Sequence, residues 1–280
     1  MKIIFAGGGT AGHVEPALAI ARLWQSKYPQ DTLEFIGTAK GLENQLVPAA
    51  NFKLYKIPKV VMPRKVSLSL FSAPPAFLGA FMSARRVVKG ADLLIGFGGY
   101  VSAPAYLAAK SLGIAFVVHE ANAKPGFANR LGARLTQSVA VAQPVAKGAL
   151  SRALITGIPL RSDVAQALSK SGKDWAKARA NAKSNLGFSP SDPLVLAFFG
   201  SQGSLALNSV IEKSLPTLLS GGAQLLHGVG KLNSLPKAQE RYQATAYIED
   251  MATAYLAADL IISRSGAISC SEINALGRYA

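Results

Sequence analysis

Apolar residues in this chain come in short unbroken runs. Most run into glycine or a polar strand end, and a longer stretch follows in which apolar positions recur every three or four residues. Runs of the first kind read as strands buried on both faces, and stretches of the second kind as helices packed along one side. Strands are expected at Lys2–Ala6, Thr32–Ile36, Lys53–Ile57, Asp92–Phe97, Ala115–His119, Ser138–Ala142 and Ala153–Thr156. Helices are expected between them at Val14–Lys27, Leu42–Ala49, Ser67–Lys89, Ala103–Leu112 and Gly126–Leu135. Such alternation predicts a parallel sheet with helices on both faces.

A basic, polar stretch from Ser162 to Ser191, ending in Ser-Pro-Ser-Asp-Pro, interrupts the pattern and reads as a domain boundary. The alternation then restarts, with strands expected at Pro193–Phe199, Ala223–Gly228, Thr245–Ile248 and Leu260–Ser263. Helices are expected at Leu207–Leu219, Met251–Ala258 and Ile268–Leu276. The fold class is therefore α/β, with two doubly wound parallel-sheet domains at 1–160 and 161–280. The second has few strands and stops just past Gly277, a glycine C-cap, so it is expected to be incomplete.

Composition narrows the compartment. Cys270 is the single cysteine, which excludes an internal disulfide and suits a reducing cytosol. No signal peptide is expected, because glycine stops the first apolar run at once. The most apolar long window, Val66–Met82, is split by Pro74-Pro75 and is short for a bilayer span, so the chain reads as soluble. The 30 Lys and Arg against 15 Asp and Glu give a net charge of +15, which favours anionic partners. Nucleic acid is not among those expected, since no basic run is interleaved with aromatics. Lys53, Lys56, Lys59, Arg64 and Lys65 precede the apolar window, and Arg85, Arg86 and Lys89 follow it. That arrangement suits an anionic membrane surface.

Chemistry concentrates at the glycine turns. Ile3 to Phe5 run through Ala6 into Gly7-Gly8-Gly9 and then His13 at a helix start, which makes a seat for an anion with an imidazole at its mouth. Gly7, Gly9 and Gly12 also fit the dinucleotide fingerprint. A dehydrogenase, however, wants an acid closing the second strand, where this chain has Gly37-Thr38 and only a mid-strand Glu34. Three further turns are candidates: Gly96–Pro104 with Ser102 as a helix N-cap, His119–Asn122, and Arg264–Glu272. Each also has a plain packing reading. His13 can cap its helix, His119 can be a buried hydrogen-bonding residue, Glu272 a surface acid, and Cys270 simple packing. No His/Cys cluster has metal-ligand spacing, and a mechanism without metal or cofactor follows.

The motifs Gly8-Gly9-Thr10-Ala11-Gly12-His13-Val14, Gly98-Gly99-Tyr100-Val101-Ser102, His119-Glu120-Ala121-Asn122, Gly157-Ile158-Pro159-Leu160-Arg161, Gly200-Ser201-Gln202-Gly203 and Arg264-Ser265-Gly266-Ala267 occur in the order and spacing of one family. Across its whole length the chain resembles the MurG family of bacterial N-acetylglucosaminyltransferases, which convert lipid I to lipid II in peptidoglycan synthesis. The resemblance implies a GT-B fold, with two Rossmann-like domains facing a cleft, and inverting, metal-independent transfer. The first domain would take lipid I, a MurNAc-pentapeptide on a polyprenyl diphosphate, and the second UDP-GlcNAc, at the cytoplasmic membrane face. His13 matches the candidate general base. Gly8, Gly9, Gly98, Gly99 and Tyr100 match the proposed acceptor-diphosphate seat. Thr10, Ala11, Gly12 and Asn122 match positions that reach the donor sugar. Arg161, Ser201, Asn208, Ile248, Ala267, Ile268, Ser269, Cys270, Ser271 and Glu272 match donor-site positions, with Ile248 at the uracil edge and Glu272 at the ribose hydroxyls.

Ile158 stands where the family has asparagine, Phe199 where it has glycine, and Tyr279 departs from the strand with which the family continues. Two other readings stand beside this one. One is a related GT-B transferase with a different acceptor. The other is an inactive fragment that only binds UDP-sugar or membrane.

Overall fold

The computed structural model describes residues 1–59, 69–172 and 174–277; the side chains of 69–74 and of Lys170 are not among those described. Arg64, Lys65, the start of the Val66–Met82 window and Tyr279 therefore lie outside the described residues. The chain divides into two compact units, Met1–Arg161 and Ser162–Ala280.

In the first unit, β1 (Lys2–Gly7), β2 (Thr32–Gly37), β3 (Lys53–Lys56), β4 (Leu93–Gly98), β5 (Ala115–Glu120), β6 (Val139–Val141) and β7 (Leu154–Ile155) form one sheet in the order β3-β2-β1-β4-β5-β6-β7. Every pairing is parallel. The crossovers are α1 (Ala11–Lys27), α2 (Glu43–Ala49), α3 (Ser69–Val88), α4 (Ser102–Ser111) and α5 (Phe127–Leu135). Ile3, Ile4 and Phe5 of β1 have no exposed surface, because helices cover both faces. Phe5 stacks on Phe35 with ring centroids 5.0 Å apart. Full burial of such a side chain contributes about 1.5–3 kcal/mol. The sheet order reverses between β1 and β4, and it is at such a reversal that open α/β sheets bind ligands.

The second unit opens with α6 (Ser162–Ser171) and α7 (Trp175–Asn185). It continues through β8 (Leu194–Phe198), α8 (Leu205–Ser220), β9 (Gln224–Gly228), β10 (Tyr242–Thr245), α9 (Met251–Ala257), β11 (Leu260–Ser263) and α10 (Ala267–Ala275). Its sheet runs β10-β9-β8-β11, again all parallel, with the reversal between β8 and β11.

The polar stretch after Arg161 contains two helices for which no expectation was set, and two other local expectations are corrected. α7 is capped by Asp174, whose carboxylate accepts from Lys177 N at 3.0 Å, and it buries little beyond Ala182 and the stem of Lys183. The strand expected at Thr245–Ile248 lies earlier, at Tyr242–Thr245, where Tyr242 is buried opposite Leu225. Ile248 owes its burial to packing against Gly228 and the helical side of the core, not to sheet pairing. Ser102 is not the cap of α4: Val101 holds that position, and Ser102 ties the preceding turn together. Among the described residues no helix is long and apolar enough to cross a membrane.

Candidate functional site

The first-unit site is built where β1 and β4 end side by side. Each strand turns on glycines that need a left-handed backbone, with φ of 91° at Gly9, 94° at Gly98 and 84° at Gly99. Space requires glycine as well. A Cβ at Gly99 would lie 2.4 Å from the Gly8 carbonyl oxygen and 3.2 Å from His13 Nδ1. One at Gly98 would lie 3.3 Å from His13 Nε2. The two turns thus pack together around the imidazole.

His13 lies in the first turn of α1. Its Nδ1 is 3.2 Å from the Gly8 carbonyl oxygen and 3.2 Å from Thr10 Oγ1. A carbonyl can only accept, so the bond to Gly8 is made by the tautomer with the proton on Nδ1 and a lone pair on Nε2. Burial lowers the His13 pKa below 6.5, opposed by the bond to Gly8 and by the charges of Glu120 and Glu43. The ring is therefore neutral near pH 7 with an open basic nitrogen.

Two buried carboxylates support this turn. Glu43, at the start of α2, has no exposed surface. It accepts from Gly9 N at 2.9 Å and from Thr38 N and Thr38 Oγ1 at 2.8 Å each. Burial alone would raise its pKa, but these hydrogen bonds, together with one from its own backbone N–H, outweigh that and hold it below the ordinary carboxylate value. Glu120, at the end of β5, accepts from Asn122 N and Asn122 Nδ2 at 2.9 Å, Gly126 N at 2.9 Å and Asn129 Nδ2 at 3.1 Å. Asn129 in turn accepts from Tyr106 Oη at 2.8 Å. This polar layer fixes the conformation of Asn122 from below.

The Gly98 N–H donates to Ser102 Oγ at 3.1 Å, and that hydroxyl donates to the carbonyls of Ala6 and Gly98. The N–H groups of Gly9 and Gly98 are both engaged inside the fold, so an anion at these turns would draw on their other N–H groups and on the start of α1. Thr10 holds its N-cap position without a side-chain cap bond, and the first turn has no acid. Tyr100 is exposed beside Gly9, with Lys59 Nζ 4.4 Å from its ring centroid. His119 is buried and donates from Nε2 to the Gly157 carbonyl at 3.0 Å; burial lowers its pKa, and that hydrogen bond and the charge of Glu120 oppose the shift.

The second unit carries the remaining candidates. After β8, Gly200 (φ 86°) leads to Ser201, whose carbonyl accepts from Lys231 N at 3.1 Å. A Cβ at Gly200 would lie 2.7 Å from Arg264 Nη2, so the exposed Arg264 side chain reaches from the β11 turn over the β8 turn. Ala267, Ile268, Ser269, Cys270 and Ser271 are half-buried in the first turns of α10, and Glu272 is buried, accepting from Tyr255 Oη at 3.0 Å. Asn208 is buried too. His227 Nε2–H donates to its Oδ1 at 3.2 Å, and its Nδ2 donates to Val229 O at 2.8 Å. Ile248 is buried, and Arg161 closes the first unit half-buried. Sequence reasoning missed Glu43 and Asn129. The glycines Gly37 and Gly41 around Glu43 are the one signal that could have found the former. Among the described residues no group of three or more His, Cys, Asp or Glu could hold a metal ion.

Comparison with known proteins places this geometry. The chain matches the Glycosyltransferase family 28 N-terminal domain over residues 3–141 and the Glycosyltransferase family 28 C-terminal domain over residues 194–280. It is 45% identical over 279 residues to the UDP-N-acetylglucosamine–N-acetylmuramyl-(pentapeptide) pyrophosphoryl-undecaprenol N-acetylglucosamine transferase of Corynebacterium efficiens, covering 99% of this chain and 75% of that protein. It is 42% identical to the enzyme of the same name from Streptomyces coelicolor, covering 99% and 76%. Among solved structures, MurG of Acinetobacter baumannii superposes with a TM-score of 0.64 at 29% identity, over 97% of this chain and 74% of that one. A UDP-GlcNAc 2-epimerase from Neisseria meningitidis shares the fold at 17% identity and a TM-score of 0.58, over 99% and 81%. The chain belongs to glycosyltransferase family 28, among the hexosyltransferases of the MurG family, and has their GT-B fold of two Rossmann-like domains.

Proposed function

We propose that this protein transfers GlcNAc from UDP-GlcNAc to the MurNAc-pentapeptide of lipid I, forming lipid II with inversion at the anomeric carbon. The observation that carries the reading is the 3.2 Å contact between His13 Nδ1 and the Gly8 carbonyl oxygen: a proton on Nδ1 makes that bond and leaves Nε2 free to take another. As the acceptor hydroxyl oxygen bonds to the anomeric carbon, its proton passes to Nε2 and the bond to UDP breaks. The leaving diphosphate gains charge, which Arg161 and the N–H groups at the β8 and β11 turns are suited to stabilise.

In this reading the first unit takes the acceptor. Its diphosphate lies at the turns Gly8–Gly9 and Gly98–Tyr100, and Thr10, Ala11, Gly12 and Asn122 contact the donor sugar. The second unit takes the donor through Ser201, Asn208, Ile248 and the run Ala267–Glu272, with Glu272 on the ribose hydroxyls. A lipid-linked acceptor calls for a membrane surface. Leu78 and Met82 are exposed on α3, with Arg85, Arg86 and Lys89 at its end and Lys53, Lys56 and Lys59 at and just after β3. That combination suits peripheral binding at the anionic cytoplasmic face. Incubation with UDP-GlcNAc and a short-chain lipid I analogue tests the reading by mass spectrometry. A product heavier by one GlcNAc residue is expected; transfer to acceptors lacking MurNAc with equal efficiency would overturn it.

A further inference from the structure

The peptide bond between Gly8 and Gly9 has a carboxylate on one side and an imidazole on the other. Its N–H donates to Glu43 Oε2 at 2.9 Å, and its carbonyl accepts from His13 Nδ1 at 3.2 Å. No cis peptide bond occurs among the described residues, and a trans peptide points its N–H and C=O in opposite directions. One planar unit therefore joins the two side chains. We propose that Glu43 is a positioning residue for His13, acting through the Gly8–Gly9 peptide as a carboxylate–peptide–imidazole relay. The proposal rests on the reading of His13 as the general base.

The surroundings are built for this carboxylate. A Cβ at Gly8, Gly37 or Gly41 would come within 2.7, 2.5 or 2.1 Å of a Glu43 side-chain atom, so the chain has glycine wherever the side chain passes. The two oxygens divide these donors: Oε1 takes both donors of Thr38, and Oε2 takes Gly9 N–H. An anion on the N–H of a peptide makes its carbonyl a stronger acceptor, since linked hydrogen bonds polarise one another. That carbonyl fixes Nδ1 as the protonated nitrogen and makes Nε2 more basic. Gly99 lets the arrangement close, because any side chain there would meet the same carbonyl.

The charged groups acting on His13 are Glu43 from α2 and Glu120 from the end of β5; on the open side of the turn stands Tyr100, with Lys59 over its ring. Glu43→Gln keeps the size of the side chain but puts an amide where Gly9 N–H needs an acceptor. Expected is a fall in kcat on the order of ten- to a hundredfold, the scale seen for outer partners of functional histidines. KM for UDP-GlcNAc should stay unchanged, and the acid limb of the rate profile should move to lower pH, since a charge that favours imidazolium is gone. Thr38→Val removes one donor from the other oxygen and should stay within about twofold of the parent in rate. Equal losses in the two variants, with no movement of the acid limb, would reduce Glu43 to a local folding element and overturn the relay.

A second measurement needs neither variant nor turnover. Imidazole nitrogen shifts of the intact chain, recorded by NMR at neutral pH, should show His13 protonated at Nδ1 and bare at Nε2. The opposite tautomer would overturn the relay even if transfer is observed. The expected tautomer in a chain that transfers nothing would leave the relay standing and count against the transferase reading instead.

Discussion

His13 Nδ1 and the carbonyl oxygen of Gly8 lie 3.2 Å apart, five residues along one chain that turns back on itself between them. This contact decides which imidazole nitrogen is basic, and it exists because three glycines of the first turn and two of the second leave room for it.

The first prediction concerns pH. Burial holds the His13 pKa below 6.5, so the ring stays neutral to lower pH than a free imidazole. The general base is lost only when that neutral form protonates. The acid limb of kcat/KM should therefore lie below pH 6.5, as read from a rate profile between about pH 5 and 8. A midpoint above 6.5 would place the titrating group elsewhere.

Gly99→Ala tests the closeness of the two turns. The added methyl would sit 2.4 Å from the Gly8 carbonyl, and the backbone there has a φ of 84°. A cost of roughly 1–3 kcal/mol in stability is expected from the strained conformation. Turnover should fall further than that loss explains, because the carbonyl must leave His13. Gly113→Ala is the control: it shares a positive φ of 68° but meets no atom within 4 Å, so its turnover should be unchanged.

Much of this was legible in the sequence. The β1 to β5 alternation followed from unbroken apolar runs, and the first glycine turn stood out because three glycines run from a buried strand into a helix start that carries an imidazole. The second unit was harder. α6 and α7 bury so little, mainly Val164 and Ala182, that their apolar positions give no clear period. β10 is only Tyr-Gln-Ala-Thr, and the apolar Ile248 beyond it drew the expected strand off register. Glu43 was missed because its role depends on donors from Thr38 and Gly9, which only the fold brings together; the flanking Gly37 and Gly41 were its sole trace in the sequence. Asn129 is a similar case, lying in a helix whose neighbours Tyr106 and Glu120 are set by tertiary packing.

His227 predicts acid sensitivity in the second unit. Its Nδ1 accepts from Tyr242 Oη at 3.1 Å and its Nε2–H donates to Asn208 Oδ1 at 3.2 Å, all in a fully buried setting. Burial lowers its pKa from 6.5 to about 4. Below pH 6.5 the unfolded chain takes up a proton that the native state refuses, so stability falls as the pH drops from 6.5 towards 4. At about 1.4 kcal/mol per pH unit, the loss is on the order of 3 kcal/mol. Denaturant midpoints followed against pH should show this decline, and His227→Gln should flatten it.

Glu272→Ala should weaken UDP-GlcNAc binding, measured by calorimetry, if the carboxylate holds the ribose. The substitution also removes the bond from Tyr255 Oη to Glu272 Oε2, 3.0 Å long, at a cost of about 0.5–1.5 kcal/mol in stability. Tyr255→Phe separates the two effects, since it removes the internal bond and leaves the carboxylate. Its affinity for UDP-GlcNAc should match the parent, and equal weakening in both variants would assign Glu272 to packing.

The most direct measurement is UDP release from UDP-GlcNAc, with and without a lipid I analogue, by the parent chain and by His13→Ala. The account predicts release that depends on the acceptor, and a drop of about 100- to 10,000-fold in His13→Ala with donor affinity unchanged. Acceptor-dependent release that survives the loss of His13 at the parent rate would contradict it.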